Sequence, residues 1–294
     1  MAVLPGKAAV GPHSVYAFLS LSVPGCYGMI AACWTPGKGR PMRFFAVFLS
    51  FLSMISGAER AYGAPRAKGT TGDMRHQAAP TGFLNKTMVI DGHPRRYVLY
   101  VPREYKPDQR WPLIVFLHGM GERGSDGLAQ SEVGIGRGIR LHPDRFPCLV
   151  VMPQCPDKTT WLKAVKDIDT CLHDTRKDYS VDDDRVYLTG LSMGAYAAWQ
   201  YGAEKIKTFA GIMPICGGGK VKDAEKLARV PIWAFHGADD PTVAPKKSQE
   251  MVEAVKKAGG DVRYTEYAGT GHNSWDKAYG EKEAIKWLLS QRKK

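Results

Sequence analysis

A mostly parallel, doubly wound α/β sheet is predicted by three features of the chain. Apolar strand-like runs alternate with segments of helical period from Trp111 to the C-terminus. Trp111-Pro112-Leu113-Ile114-Val115-Phe116-Leu117 is continuously apolar, as suits a strand buried on both faces, and a glycine-rich loop follows at once. The third is Val186-Tyr187-Leu188-Thr189-Gly190-Leu191-Ser192-Met193-Gly194-Ala195, a β-type run, G-x-S-x-G, and a helix-like continuation through Gln200. A sharp strand-to-helix turn leaves no room for a Cβ on either side of the serine. Ser192 is thus pushed out at the carboxyl end of a strand.

The elements follow in order. Lys86–Ile90 and Arg96–Val101 flank the turn signal Asp91-Gly92 and predict an N-terminal antiparallel hairpin. Cys148–Met152, Arg185–Thr189, Phe209–Ile215, Pro231–Phe235 and Val262–Tyr267 read as the strands after Trp111–Leu117. Trp161, Leu162, Val165, Ile168 and Leu172 recur at helical spacing, as do Met251, Val252, Val255 and Ala258 behind Pro245. Ala284, Ile285, Trp287 and Leu288 mark a last helix. Gly134-Ile135-Gly136-Arg137-Gly138 follows no strand and reads as a loop. The stretch from Glu122 to Phe146 is rich in glycine and charge, which predicts a surface loop with at most one short helix.

The first eighty residues differ from the rest. Met42-Arg43 precedes an apolar run from Phe44 to Ile55, too short to span a bilayer and followed by small residues. Residues 42–64 therefore read as a signal peptide, cleaved after a residue between Ala58 and Ala64, and the protein as exported without stable membrane insertion. Residues 1–41 then read as an over-extended N-terminus ahead of a start at Met42. Residues 65–82, rich in Gly, Ala, Thr and Pro, read as a linker, and residues 83–294 as the folded domain.

The formal charge is +12, of which residues 65–294 carry +8, since residues 1–64 hold five basic residues and one acidic. The basic residues are scattered and not interleaved with aromatics, which argues against nucleic acid as a partner. Cys148, Cys155, Cys171 and Cys216 match no metal-site spacing and read as buried small apolar residues, their pairing left open. Gly217-Gly218-Gly219-Lys220 has Pro214 where a phosphate loop needs its first glycine and Val221 where it needs Ser or Thr.

A serine hydroxyl is a weak nucleophile and needs a base and an orienting carboxylate. Of eight histidines, His13 lies ahead of the signal peptide and His76 in the linker, and His93, His142 and His173 have no strand end behind them. His118 and His236 each precede a glycine after an apolar strand, which suggests a loop-shaping role as readily as a catalytic one. His272, in the loop after the last strand, is the candidate base. The carboxylate is Asp239 or Asp240, in the loop after Ala234-Phe235-His236-Gly237. The order Ser, Asp, His is the one that distinguishes this sheet architecture from other serine-hydrolase folds.

With these residues assembled, the chain resembles an α/β-hydrolase. Within that superfamily it resembles serine esterases related to carboxylesterase/phospholipase, feruloyl esterase and polyhydroxybutyrate depolymerase enzymes. The resemblance is carried by Leu117-His118-Gly119-Met120-Gly121-Glu122-Arg123-Gly124, Gly190–Gly194, His236–Val243 and Gly271-His272, and spans roughly Val89 to Leu289. It implies Asp240 as the acid, because the pattern places that residue immediately before Pro-x-Val. It also implies that the backbone N–H groups of Met120 and Met193 form an oxyanion hole, and that no cofactor or metal is required. Only about fifteen residues separate Ile215 from Pro231, too few for a large lid. An uncovered site suits small or polysaccharide-linked acyl esters, with Trp161 and Trp275 as platforms for substrate rings. The alternatives weighed are a serine peptidase of the prolyl-oligopeptidase type, for whose propeller this chain has no room, and a lysophospholipase.

Overall fold

The computed structural model describes residues 79–293. The leader, the start at Met42 and most of the linker lie outside them. Eight strands form one sheet in the order β1-β2-β4-β3-β5-β6-β7-β8. β1 (Gly82–Ile90) and β2 (His93–Val101) pair antiparallel through Asp91-Gly92, where both residues take positive φ as a tight hairpin turn demands. β2 lies antiparallel on β4 (Leu149–Pro153). β3 (Trp111–Leu117), β4, β5 (Val181–Leu191), β6 (Gly211–Ile215), β7 (Ile232–Gly237) and β8 (Val262–Tyr267) run parallel. This is the mostly parallel sheet with an N-terminal antiparallel hairpin that the sequence predicts, each strand within a few residues of its expected bounds.

Alternation along the central strands divides the core in two. Leu113, Val115 and Leu117 of β3 join Leu149 and Val151 of β4 on one face, under α2 (Val165–Asp178), α3 (Met193–Glu204), α4 (Ala224–Leu227) and α5 (Lys246–Lys257). Ile114, Phe116, Val150 and Met152 point the other way, under α1 (Ile135–Leu141), α6 (Trp275–Gly280) and α7 (Lys282–Ser290). Helices on both faces explain why the strands are apolar without alternation.

Two expectations need correction. The Gly134–Gly138 stretch is not a loop, because residues 135–141 form α1. Its glycines serve close packing: a Cβ on Gly136 would stand 2.0 Å from the backbone oxygen of Ser131. The stretch from Glu122 to Phe146 is not simply surface either, since Gln130, Ile135, Ile139 and Phe146 are buried. Glycine reads as punctuation in a sequence, yet it equally marks a helix pressed against neighbouring backbone. No lid domain is built by this stretch or by the connection from β6 to β7, which holds only a 3-10 turn at Val221–Asp223 and α4.

β3 precedes β4 on one side and β5 on the other, so the chain reverses its winding between β3 and β5. The crevice at such a switch point, beyond the carboxyl ends of the strands, is where open α/β sheets place their sites.

Candidate active site

Ser192 follows the last residue of β5 and precedes the first of α3, at φ 50° and ψ −117°. That conformation costs a non-glycine residue about 1–3 kcal/mol and persists only where its surroundings enforce it. Here the Ser192 N–H donates to Ile215 O at 3.0 Å, tying the turn to β6. A Cβ on Gly194 would lie 1.9 Å from Leu117 O, and one on Gly190 2.5 Å from Gly194 O. Both glycines of the motif are therefore imposed by backbone contact. Behind the turn, Thr189 Oγ1 donates to Met213 O at 2.6 Å and meets the buried Tyr279 hydroxyl at 2.8 Å.

The other candidates converge on Ser192 from neighbouring strand ends. His272 Nε2 lies 2.9 Å from Ser192 Oγ, and His272 Nδ1 lies 2.7 Å from Asp240 Oδ2. With Nδ1–H donating to the carboxylate, Nε2 is free to accept the serine proton. Asp240 Oδ1 accepts the N–H groups of Thr242 and Val243, each at 2.9 Å. Burial pushes the Asp240 carboxyl up, but hydrogen bonds from His272, Val243 and Thr242 outweigh it and hold the group below the usual carboxylate range. Asp239 is exposed, so the choice between the two aspartates falls to Asp240.

The loop after β3 closes the other side. A Cβ on Gly119 would sit 2.9 Å from Leu191 Cδ1 and 3.7 Å from Ser192 Cβ, so this loop packs against the serine turn. Neither the Met120 nor the Met193 N–H has a hydrogen-bond acceptor among the described residues, and the Met120 side chain is 57% exposed. His118 holds this loop. It is wholly buried, donates Nδ1–H to Gly119 O at 2.6 Å and accepts the Cys155 N–H on Nε2 at 2.9 Å. Burial lowers its pKa to about 4, so it is neutral.

Trp161 is not a substrate platform. Its side chain is 1% exposed and its Nε1–H donates to His118 O at 2.9 Å, so it braces the loop from within the core. Trp275 is partly buried and packs T-shaped on His272, with ring centroids 5.3 Å apart. Cys216, at φ 49° just beyond β6, went unremarked in the sequence as a neighbour of the site. Cys216, Asp240 and His272 bring ligand atoms within 4.8 Å of one another. Both ring nitrogens of His272 are already engaged, so a metal ion there would have to displace Ser192 or Asp240. The four cysteines Cys148, Cys155, Cys171 and Cys216 are buried, as the sequence suggests, and their pairing, which the sequence leaves open, is resolved as free thiols.

The sheet order and helices give the chain the α/β-hydrolase fold, with a serine, a histidine and an aspartate aligned at its switch point. It resembles the serine esterases of that fold. A model of the dienelactone hydrolase family matches residues 147–285. The chain is 29% identical over 211 residues to the bifunctional acetylxylan esterase/xylanase XynS20E of Neocallimastix patriciarum, covering 69% of this chain and 29% of that protein. A crystal structure of a thermostable esterase is 36% identical with a TM-score of 0.65, covering 72% of this chain and 63% of that one. The feruloyl esterase module from Clostridium thermocellum, at 15% identity, a TM-score of 0.60 and coverage of 72% and 89%, shares the fold. This chain thus spans well under a third of XynS20E and under two thirds of the thermostable esterase chain. Among the described residues no helix is long and apolar enough to cross a membrane.

Proposed function

We propose that this protein is an exported serine esterase that cleaves carboxylic esters through an acyl-enzyme on Ser192. The observation that carries the reading is the continuous hydrogen-bonded line from Ser192 Oγ through His272 to a buried, ionised Asp240. Ser192 Oγ attacks the acyl carbonyl while its proton passes to His272 Nε2. The resulting oxyanion is held by the N–H groups of Met120 and Met193, both without another acceptor among the described residues. Collapse expels the alcohol, which takes the proton from His272. Water, deprotonated by the same imidazole, then releases the acid and restores Ser192. Asp240 keeps the imidazole in the tautomer this requires and stabilises its charged form.

The substrate class follows from shape. Among the described residues no lid covers the strand ends, which leaves room for a short or aromatic acyl group on a bulky alcohol, such as an acylated polysaccharide. Trp275 beside His272 supplies an apolar flank for it. The relative that carries acetylxylan esterase in its name supports the same class. Export rests on the leader-like run from Phe44 to Ile55.

A chromogenic ester panel of rising acyl length, run with acetylated and feruloylated oligosaccharides and a proline anilide, tests the reading. Turnover of the short or sugar-linked esters, lost in Ser192→Ala together with fluorophosphonate labelling, is the expected result. Cleavage of the anilide alone, or full labelling of Ser192→Ala, would overturn it.

A further inference from the structure

We infer that His236 is held as a doubly protonated imidazolium and serves as a positioning residue for Asp240. A count of protons carries this. His236 is wholly buried at the end of β7, and each of its ring nitrogens meets an acceptor. Nε2 lies 2.9 Å from Val243 O and 3.2 Å from Asp240 Oδ2, neither of which can donate, so Nε2 carries a hydrogen. Nδ1 lies 2.7 Å from Ser248 Oγ, and the single Ser248 proton is already committed to Gly217 O at 2.7 Å. Nδ1 must therefore donate as well. A neutral ring in either tautomer would set two lone pairs against each other at 2.7 or 2.9 Å around a wholly buried ring. The same count gives one proton on His118, between a carbonyl and an N–H, and one on His272, between a carboxylate and a hydroxyl.

The consequence falls on Asp240. Its Oδ2 accepts from His272 Nδ1 and lies 3.2 Å from His236 Nε2, and its Oδ1 accepts two backbone N–H groups, so three donors and one neighbouring cation fix a carboxylate whose side chain is fully enclosed. A buried charge is tolerated when it is paired and hydrogen-bonded. Other titratable groups face this pair. Glu266 of β8 lies beside His236 in the strand register, and Cys216 and Tyr196 face Asp240. Glu266 is ionised, its carboxyl held low chiefly by hydrogen bonds from Tyr264 and Gln249. Glu266 and Asp240 are both negative, and both favour the cation. The imidazolium and His272 thus flank the same carboxylate oxygen.

The catalytic consequence rests on the esterase reading, but the proton count does not. Nitrogen NMR of the full chain labelled at histidine reads it directly, with His236→Gln supplying the assignment and through-bond correlation supplying it if that variant does not fold. His236 is expected to show two protonated ring nitrogens at neutral pH, and His118 and His272 one each. A single protonated nitrogen on His236 overturns the inference. In His236→Gln the acidic limb of the kcat/KM profile should move to higher pH by on the order of one unit, the size of effect a neighbouring charge exerts. A uniform loss at every pH, with the limb unmoved, would mark His236 as structural only and overturn its positioning role. Absence of esterase activity in the unmodified protein would count against the proposed function and leave the NMR result standing as the measure of the inference.

Discussion

The Nδ1 of His272 lies 2.7 Å from Oδ2 of Asp240, while Asp239, one residue earlier, is exposed and spends its backbone N–H on Thr270 O at 3.0 Å. Adjacent carboxylates thus have unlike roles. Asp240→Asn should lower kcat by on the order of 10⁴, because an amide facing Nδ1 favours the tautomer whose Nε2 cannot accept the serine proton. Asp239→Asn should stay within a few-fold of the parent. Steady-state kinetics on one short-chain ester decides it, and a reversal of the two effects would move the acid to Asp239.

What the sequence reveals about this site depends on how each residue is held. Ser192 is legible because its strained turn demands glycine at Gly190 and Gly194, and His272 because only its loop follows a terminal strand. Asp240 was separable from Asp239 only through the family resemblance, since either fits the turn. Trp161 was misread because it lies in the turn ahead of α2, outside the helix its spacing suggested, and its partner, His118 O, lies 43 residues away. His236 was read as loop-shaping as readily as catalytic. Its contact with Asp240 comes from the turn that folds residues 238–243 back over the end of β7.

Gly194→Ala should fail before chemistry is reached. The added methyl meets Leu117 O at 1.9 Å and His118 O at 2.8 Å, and neither can retreat without moving β3 or its loop. Overpacking of this kind costs about 1–3 kcal/mol or more. Urea titration should give a lower midpoint, and activity should fall further than stability because Met193 N–H moves with Gly194. An unchanged midpoint with full activity would contradict the packing argument.

Trp161→Phe keeps most of the ring but loses the hydrogen bond to His118 O and leaves that oxygen buried without its partner. The expected cost is about 1–3 kcal/mol of stability. Any loss in kcat/KM should be the same for acetyl and aromatic acyl esters, since Trp161 does not touch substrate. Trp275→Ala, by contrast, should weaken aromatic acyl esters more than acetyl esters. Equal effects of Trp275→Ala on both would remove it from the substrate flank.

The four cysteines Cys148, Cys155, Cys171 and Cys216 should resist alkylation in the native protein and react once it is unfolded. All are buried, and burial pushes the thiols of Cys155 and Cys216 up to about 12, so the reactive thiolate is scarce. Peptide mapping after alkylation with and without denaturant reads each site separately. Rapid native labelling of Cys216 would show that the space beside Asp240 is open to solvent.

Glu122, in the loop beside Ser192, makes a pH-dependent prediction. Its Oε2 is buried with no hydrogen-bond partner and lies 3.9 Å from His118 Nδ1, a neutral ring that cannot compensate a charge. Burial raises the carboxyl, and local backbone N–H groups offset only part of that. A group whose folded pKa exceeds its unfolded value of 4.5 favours the folded state below that value and loses this as pH rises through the folded one. The wild-type protein therefore carries the cost of a poorly solvated charge at neutral pH and sheds it in acid. Glu122→Gln removes the charge at every pH while keeping an acceptor for the backbone donors. Its Tm should exceed the wild-type value at pH 8, by an amount that shrinks as pH falls and vanishes near pH 4. Thermal melts at several pH values check this, and a Tm difference that is constant with pH, or largest in acid, would mean that Glu122 is solvated or paired in solution.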